Sequence, residues 1–149
     1  MRSVSLVVLS LCLAATSESQ EGRLPAGTRI VQQLEARWNA SSEYTLAIAE
    51  QMPADGYAFR PTGGQMTFGE QLLHISQQNR LILSEMSGQT APPAARTSPA
   101  KTNVVAHLTE THALGVKSLR QRTSGNIVDL LDGMMLALDH TTHHRRLAG

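Results

Sequence analysis

The chain has 149 residues, enough for one ordinary domain, and is 41% hydrophobic, 3% aromatic and 17% charged. Its core must therefore be built mainly from aliphatic side chains. The formal net charge is +1 and no Lys/Arg run stands out, which argues against a nucleic-acid binder, because that function needs a basic stripe to neutralise phosphates.

Residues 1–20 read as a signal peptide. Arg2 supplies a charged n-region, Val4 to Ala15 an apolar stretch, and Ala15-Thr16-Ser17 small residues at cleavage spacing. The apolar run is shorter than the roughly 20 residues that span a bilayer. The expected mature protein is exported, periplasmic or secreted, with no stable membrane span. Cys12 is the only cysteine. A mature chain from residue 21 onward would form no disulfide and offer no thiolate, so any thiol chemistry would use a substrate thiol.

A first helix is predicted from about Thr28 to Met52. Ile30, Leu34, Trp38, Tyr44 or Thr45, Ile48 and Met52 recur at helical spacing. Pro53 ends it, because the residue before a proline is pushed out of the α region. The stretch from Pro53 to Gln65, with two prolines and three glycines, is a loop. Tyr57 and Phe59 within it are expected to be packing anchors.

The second helix starts at a capping box, with Thr67 as N-cap and Glu70 at the third position. Phe68, Leu72, Ile75, Ile82 and Met86 form its apolar face, Leu73 and Leu81 widen it, and Gly88 closes it. Residues 87–101 hold three prolines and little that could enter a core. This is a long connection. A third helix is predicted from about Asn103 to Gln121, with Val105, Leu108, His112, Val116 and Leu119 as its stripe. His107 and His112 are five apart, so they cannot readily share a ligand. Ser124 is expected to cap a fourth helix reaching about Arg146, with Ile127, Leu131, Met134, Leu138 and Thr141 facing the core. No strand pattern, repeat or Gly-rich phosphate loop is present. Four helices with a long central crossover connection predict an all-α four-helix bundle.

Three of the six histidines lie in Asp139-His140-Thr141-Thr142-His143-His144-Arg145. His140 and His144 are four apart, so on a helix their side chains stand one above the other. Two imidazoles so placed can hold one metal ion at about 2.0–2.1 Å each. They share a flank with Gly133 and Ala137, small residues expected to leave a groove between helices. His143 points further toward solvent. A lone His-x-x-x-His pair is a weak signal, and a third ligand must come from elsewhere.

Several phrases resemble, in order, the DinB-like family of metal-binding four-helix bundles. They are Trp38 followed by Tyr44-Thr45-Leu46; Met52-Pro53-Ala54-Asp55-Gly56-Tyr57-Ala58-Phe59-Arg60-Pro61-Thr62; Thr67-Phe68-Gly69-Glu70-Gln71-Leu72-Leu73-His74-Ile75; and His140-Thr141-Thr142-His143-His144-Arg145. The match runs over about residues 30–146. It implies a DinB-like domain over residues 21–149, with one metal ligand on the second helix and two on the last, which here are His74, His140 and His144. The family usually continues after its His-His-Arg with Gly-Gln and a further segment, whereas this chain reads Arg145-Arg146-Leu147-Ala148-Gly149. A last helix short of its final turns is therefore expected.

Three neutral imidazoles leave the charge of one divalent transition metal ion uncompensated, whether zinc, nickel, iron or manganese. Such an ion would acidify water or hold a substrate thiol as thiolate. The resemblance thus implies an enzyme, either a metal-dependent hydrolase or a thiol S-transferase, acting on a small molecule that includes low-molecular-weight thiols. The alternative is a non-catalytic metal-binding or stress-associated protein. Glu70, one turn before His74, is a candidate to orient that ligand. Similar bundles pair through helix faces, so a homodimer is implied as well.

Overall fold

The computed structural model describes residues 24–89, 97–121 and 127–148. The leader-like segment 1–20 and the expected cap at Ser124 lie outside them. Four helices carry the fold: α1 (Ala26–Gln51), α2 (Phe68–Met86), α3 (Lys101–Gln121) and α4 (Ile127–Ala148). A single 3-10 turn spans Asp55–Ala58. Among the described residues there is no strand, and no helix is long and apolar enough to cross a membrane.

Two buried clusters fix the helix directions. In one, Ala49 at the end of α1 meets Phe68 and Leu72 at the start of α2, Val104 and Leu108 early in α3, and Ala148 at the end of α4. In the other, Leu34 and Trp38 meet Leu83, Leu119, Leu130 and Met134. Helices α1 and α4 therefore run one way, and α2 and α3 run the other. Parallel α2 and α3 require a connection that travels the length of the bundle, which is why the proline-rich stretch between them is long.

The start of α2 is as the sequence predicts. Thr67 Oγ1 accepts from Glu70 N at 3.1 Å, and Thr67 N donates to the Glu70 carboxylate at 2.7 Å. Just before it, Tyr57 is buried, donates its hydroxyl to Ala49 O at 2.7 Å and meets Phe68 edge-on at 5.1 Å. Gly69 lies so close to Pro99 O and Tyr57 that a Cβ there would collide with them. The loop and the crossover are thus clamped onto the first turn of the helix that carries His74. The other expected anchor, Phe59, is 56% exposed.

The core face of α4 is rotated from the predicted one. Leu130, Met134, Ala137, Thr141 and Ala148 are buried, whereas Leu131 is 39% exposed. Leu130 and Leu131 offer two overlapping apolar stripes, and period alone does not choose between them. Packing against Trp38 and Leu83 does. The same one-residue ambiguity explains α3, where Val104 is fully buried and Val105 only partly. Of the alternatives Tyr44 and Thr45, it is Thr45 that is buried; Ile30 and Leu81, also expected inside, are exposed, and Ala49 and Leu83 take interior places. The groove expected at Gly133 and Ala137 is filled, because Met86 packs directly over Gly133 and Ala137 is fully buried.

Candidate metal centre

The rotation of α4 brings His140 and His144 to the edge of its core stripe, facing α2. His74 faces them from the second turn of α2. The three ring centroids lie 5.1, 4.4 and 4.5 Å apart in pairs. His74 Nε2 and His140 Nε2 are separated by 3.3 Å. Among the described residues this is the one group of three His, Cys, Asp or Glu side chains whose ligand atoms all lie within 4.8 Å of one another.

Gln71, one turn before His74 and 4% exposed, holds the third ring. Its Oε1 lies 2.7 Å from His144 Nδ1. A carbonyl oxygen only accepts, so the proton sits on Nδ1 and Nε2 of His144 keeps a bare lone pair. Glu70, the candidate for orienting His74, serves the helix cap instead. Its carboxylate is committed to Thr67 N and to a 3.4 Å ion pair with Arg60. The Thr67 amide holds that carboxyl below its usual range. Sequence reading passed over Gln71 because capping made Glu70 conspicuous, although position 71 shares the inward face with His74 at helical spacing.

All three rings are held below the ordinary imidazole range. Burial is the cause for His74. For His140 burial leads, helped by His74 and His143 and opposed by Asp139. His144 is pushed down to about 4, first by burial and then by His140, His74 and His143. At neutral pH the cluster is therefore three uncharged nitrogen donors, the protonation state that metal ligation requires. Ligands at about 2.0–2.1 Å in a tetrahedral shell lie about 3.3–3.4 Å from one another, close to the separation of the His74 and His140 Nε2 atoms. Two imidazole nitrogens that close repel unless a proton or a cation lies between them. The residues fit a small divalent ion.

His143 is exposed and meets His144 edge-on at 4.9 Å on the solvent side. His107 and His112 lie elsewhere on α3, their Nε2 atoms bonded to Thr97 Oγ1 at 3.2 Å and Asn39 Oδ1 at 2.9 Å. Arg145 has a role that spacing did not reveal. Its Nη1 donates to Ser41 O at 2.9 Å and to Thr45 Oγ1 at 3.1 Å, and the guanidinium lies 5.0 Å from the Tyr44 ring centre. It ties α4 to α1 beside His144 and resists rotation of the helix.

The family model of the DinB superfamily matches residues 33–148. The chain belongs to the DinB superfamily. No curated protein and no solved structure matches it. DinB-like proteins bind metals, and the cluster of His74, His140 and His144 is where this DinB-like bundle could hold one.

His74 also lines a cleft of about 440 Å³ whose walls include Arg60, Glu70, Leu73, Gln77 and Thr97. The cleft runs between the clamped loop, the first turns of α2 and the end of the crossover. A small molecule in it would have an apolar side chain at Leu73, charged groups at Arg60 and Glu70, and the His74 ring around it.

Proposed function

We propose that this DinB-like protein is a metal-dependent enzyme, a hydrolase or a thiol S-transferase, whose single divalent transition metal ion is held by His74, His140 and His144. The observation that carries the proposal is the convergence of three neutral imidazoles from two helices, one of which, His74, also lines an open cleft. When bound, zinc, nickel, iron or manganese would supply the positive charge that acidifies water or a substrate thiol. The protein's own part is positional. Gln71 fixes the His144 proton on Nδ1, Arg145 and Thr141 fix the rotation of α4, and the Thr67–Glu70 capping box fixes the first turn of α2. Leu73 and Met66 give the cleft its apolar side chains. The only cysteine, Cys12, lies in the leader-like segment, so a thiol reaction at this site draws its sulfur from a low-molecular-weight substrate.

One observation favours the second reading, a non-catalytic metal-binding or stress-associated protein. Among the described residues no carboxylate hydrogen-bonds to the triad, because Glu70 is spent on the helix cap. Such a site would hold an ion without a general base.

Elemental analysis of the purified protein, followed by turnover assays with thiol acceptors and with simple esters and amides, tests the proposal. One equivalent of metal and turnover that disappears in His74→Ala support an enzyme. Stoichiometric metal without turnover on any of these substrates supports the second reading, and no metal removes both. Export and pairing into a homodimer belong to the same proposal. Mass spectrometry of protein from its native host should find the first 15–20 residues removed, and light scattering should find twice the chain mass. An intact Met1 or a monomer would overturn the respective point.

A further inference from the structure

A small cavity with both polar and apolar walls lies among the four helices, lined by none of the residues of the cleft. Its lining includes Ser42 and Thr45 from α1, Ser76 and Asn79 from α2, Thr111 from α3 and Thr141 from α4. Its volume is about 20 Å³, and a single water needs roughly 10–15 Å³ measured in this way. There is room for one water-sized molecule.

Accounting for protons shows what that molecule must offer. Asn79 is 3% exposed, and its Oδ1 is buried without a hydrogen-bond partner. Its Nδ2 donates to Thr141 Oγ1 at 2.8 Å, and that hydroxyl gives its own proton to Ala137 O at 2.7 Å. The amide is thereby oriented, since Thr141 has only an acceptor left for it. Thr45 spends its proton on Ser41 O at 2.7 Å, and Thr111 spends its proton on His107 O at 2.8 Å. Ser76 Oγ lies 3.0 Å from His107 O and 2.9 Å from Thr111 Oγ1, so its proton is placed too. The Thr45, Ser76, Thr111 and Thr141 hydroxyls thus have no proton to spare for Asn79 Oδ1. A buried carbonyl left in that state is costly.

We infer that this cavity binds one structural water molecule, which donates to Asn79 Oδ1 and gives its second proton to a hydroxyl oxygen of the wall. A cation does not fit. None of the lining residues is acidic, and the Arg145 guanidinium donates to Thr45 Oγ1 at 3.1 Å, placing positive charge beside the cavity. The ligand class is a neutral double donor. The site matters for the bundle because Asn79–Thr141 is, beside Gln71–His144, a direct polar tie between the two helices that carry the histidines. Asn79 lies five residues after His74, and Thr141 follows His140. The bound molecule completes the bonding of that tie and braces it against α1 and α3.

A high-resolution crystal structure of the full chain, with or without added metal, tests this directly. The expected result is density for one ordered water within hydrogen-bond distance of Asn79 Oδ1. A cavity without density, or a rotated Ser42 hydroxyl donating to Asn79 Oδ1, would overturn the inference. In solution, oxygen-17 relaxation dispersion should count one long-lived water fewer in Asn79→Leu than in the wild type, and an unchanged count would overturn it equally. Should Asn79→Leu fail to fold, the wild-type density still decides.

Discussion

Gln71→Leu isolates the part of the metal centre that spacing did not reveal. The substitution keeps a side chain of similar size at a position only 4% exposed, so the packing of α2 against α4 is retained. What disappears is the 2.7 Å contact that places the His144 proton on Nδ1. Without it the ring can rotate, or carry its proton on Nε2, and both changes withdraw a donor from the cluster. Loss of such an outer partner typically lowers metal affinity about 10–100-fold, or about 1.4–2.7 kcal/mol. Competition against a chelator of known affinity, with zinc as the probe, measures the change. His143→Ala serves as the control and should leave affinity nearly unchanged, because that ring faces solvent. His144→Ala should lose far more, since only two imidazoles remain. If Gln71→Leu binds zinc as tightly as wild type while His144→Ala does not, the tautomer argument is refuted although the triad stands. If His143→Ala abolishes binding and His144→Ala keeps it, the triad itself is misassigned.

Other expected outcomes concern the bundle. Leu130→Ala should cost about 2–5 kcal/mol, as for a buried leucine, and Leu131→Ala under about 1 kcal/mol; urea titration followed by Trp38 fluorescence compares them, and the reverse order would mean that α4 faces the other way. Gly115→Ala should destabilise by about 1–3 kcal/mol, because its new Cβ would overlap the Trp38 indole, and a shift in Trp38 emission should accompany the loss. The metal-free protein should lose stability as pH falls from about 6.5 to about 4. In that window the unfolded chain takes up a proton on residue 144 that the folded chain refuses, since His144 is pushed down to about 4. Urea midpoints measured across that range should therefore decline, and His144→Gln should flatten part of the slope.

The helices themselves were legible in the chain because their signals are local. A capping box at Thr67 and Glu70, a proline at 53, a glycine at 88 and a 3–4 apolar period depend only on neighbours a turn away. The crossover was legible for the same reason, since 87–101 offers prolines and no apolar face. The histidine spacing placed His140 and His144 on one side of a helix, and resemblance to the DinB-like family nominated His74. Tertiary structure decided what lies between helices. Leu130 rather than Leu131 faces inward because Trp38 and Leu83 occupy the space on that side, and no single-helix periodicity records what a partner helix contributes. Met86 fills the gap at Gly133 for the same reason. Glu70 and Gln71 are adjacent in the chain, but one turns to the cap of its own helix and the other to a histidine 73 residues away. That choice depends on where α4 lies, and so does the chemistry of the centre.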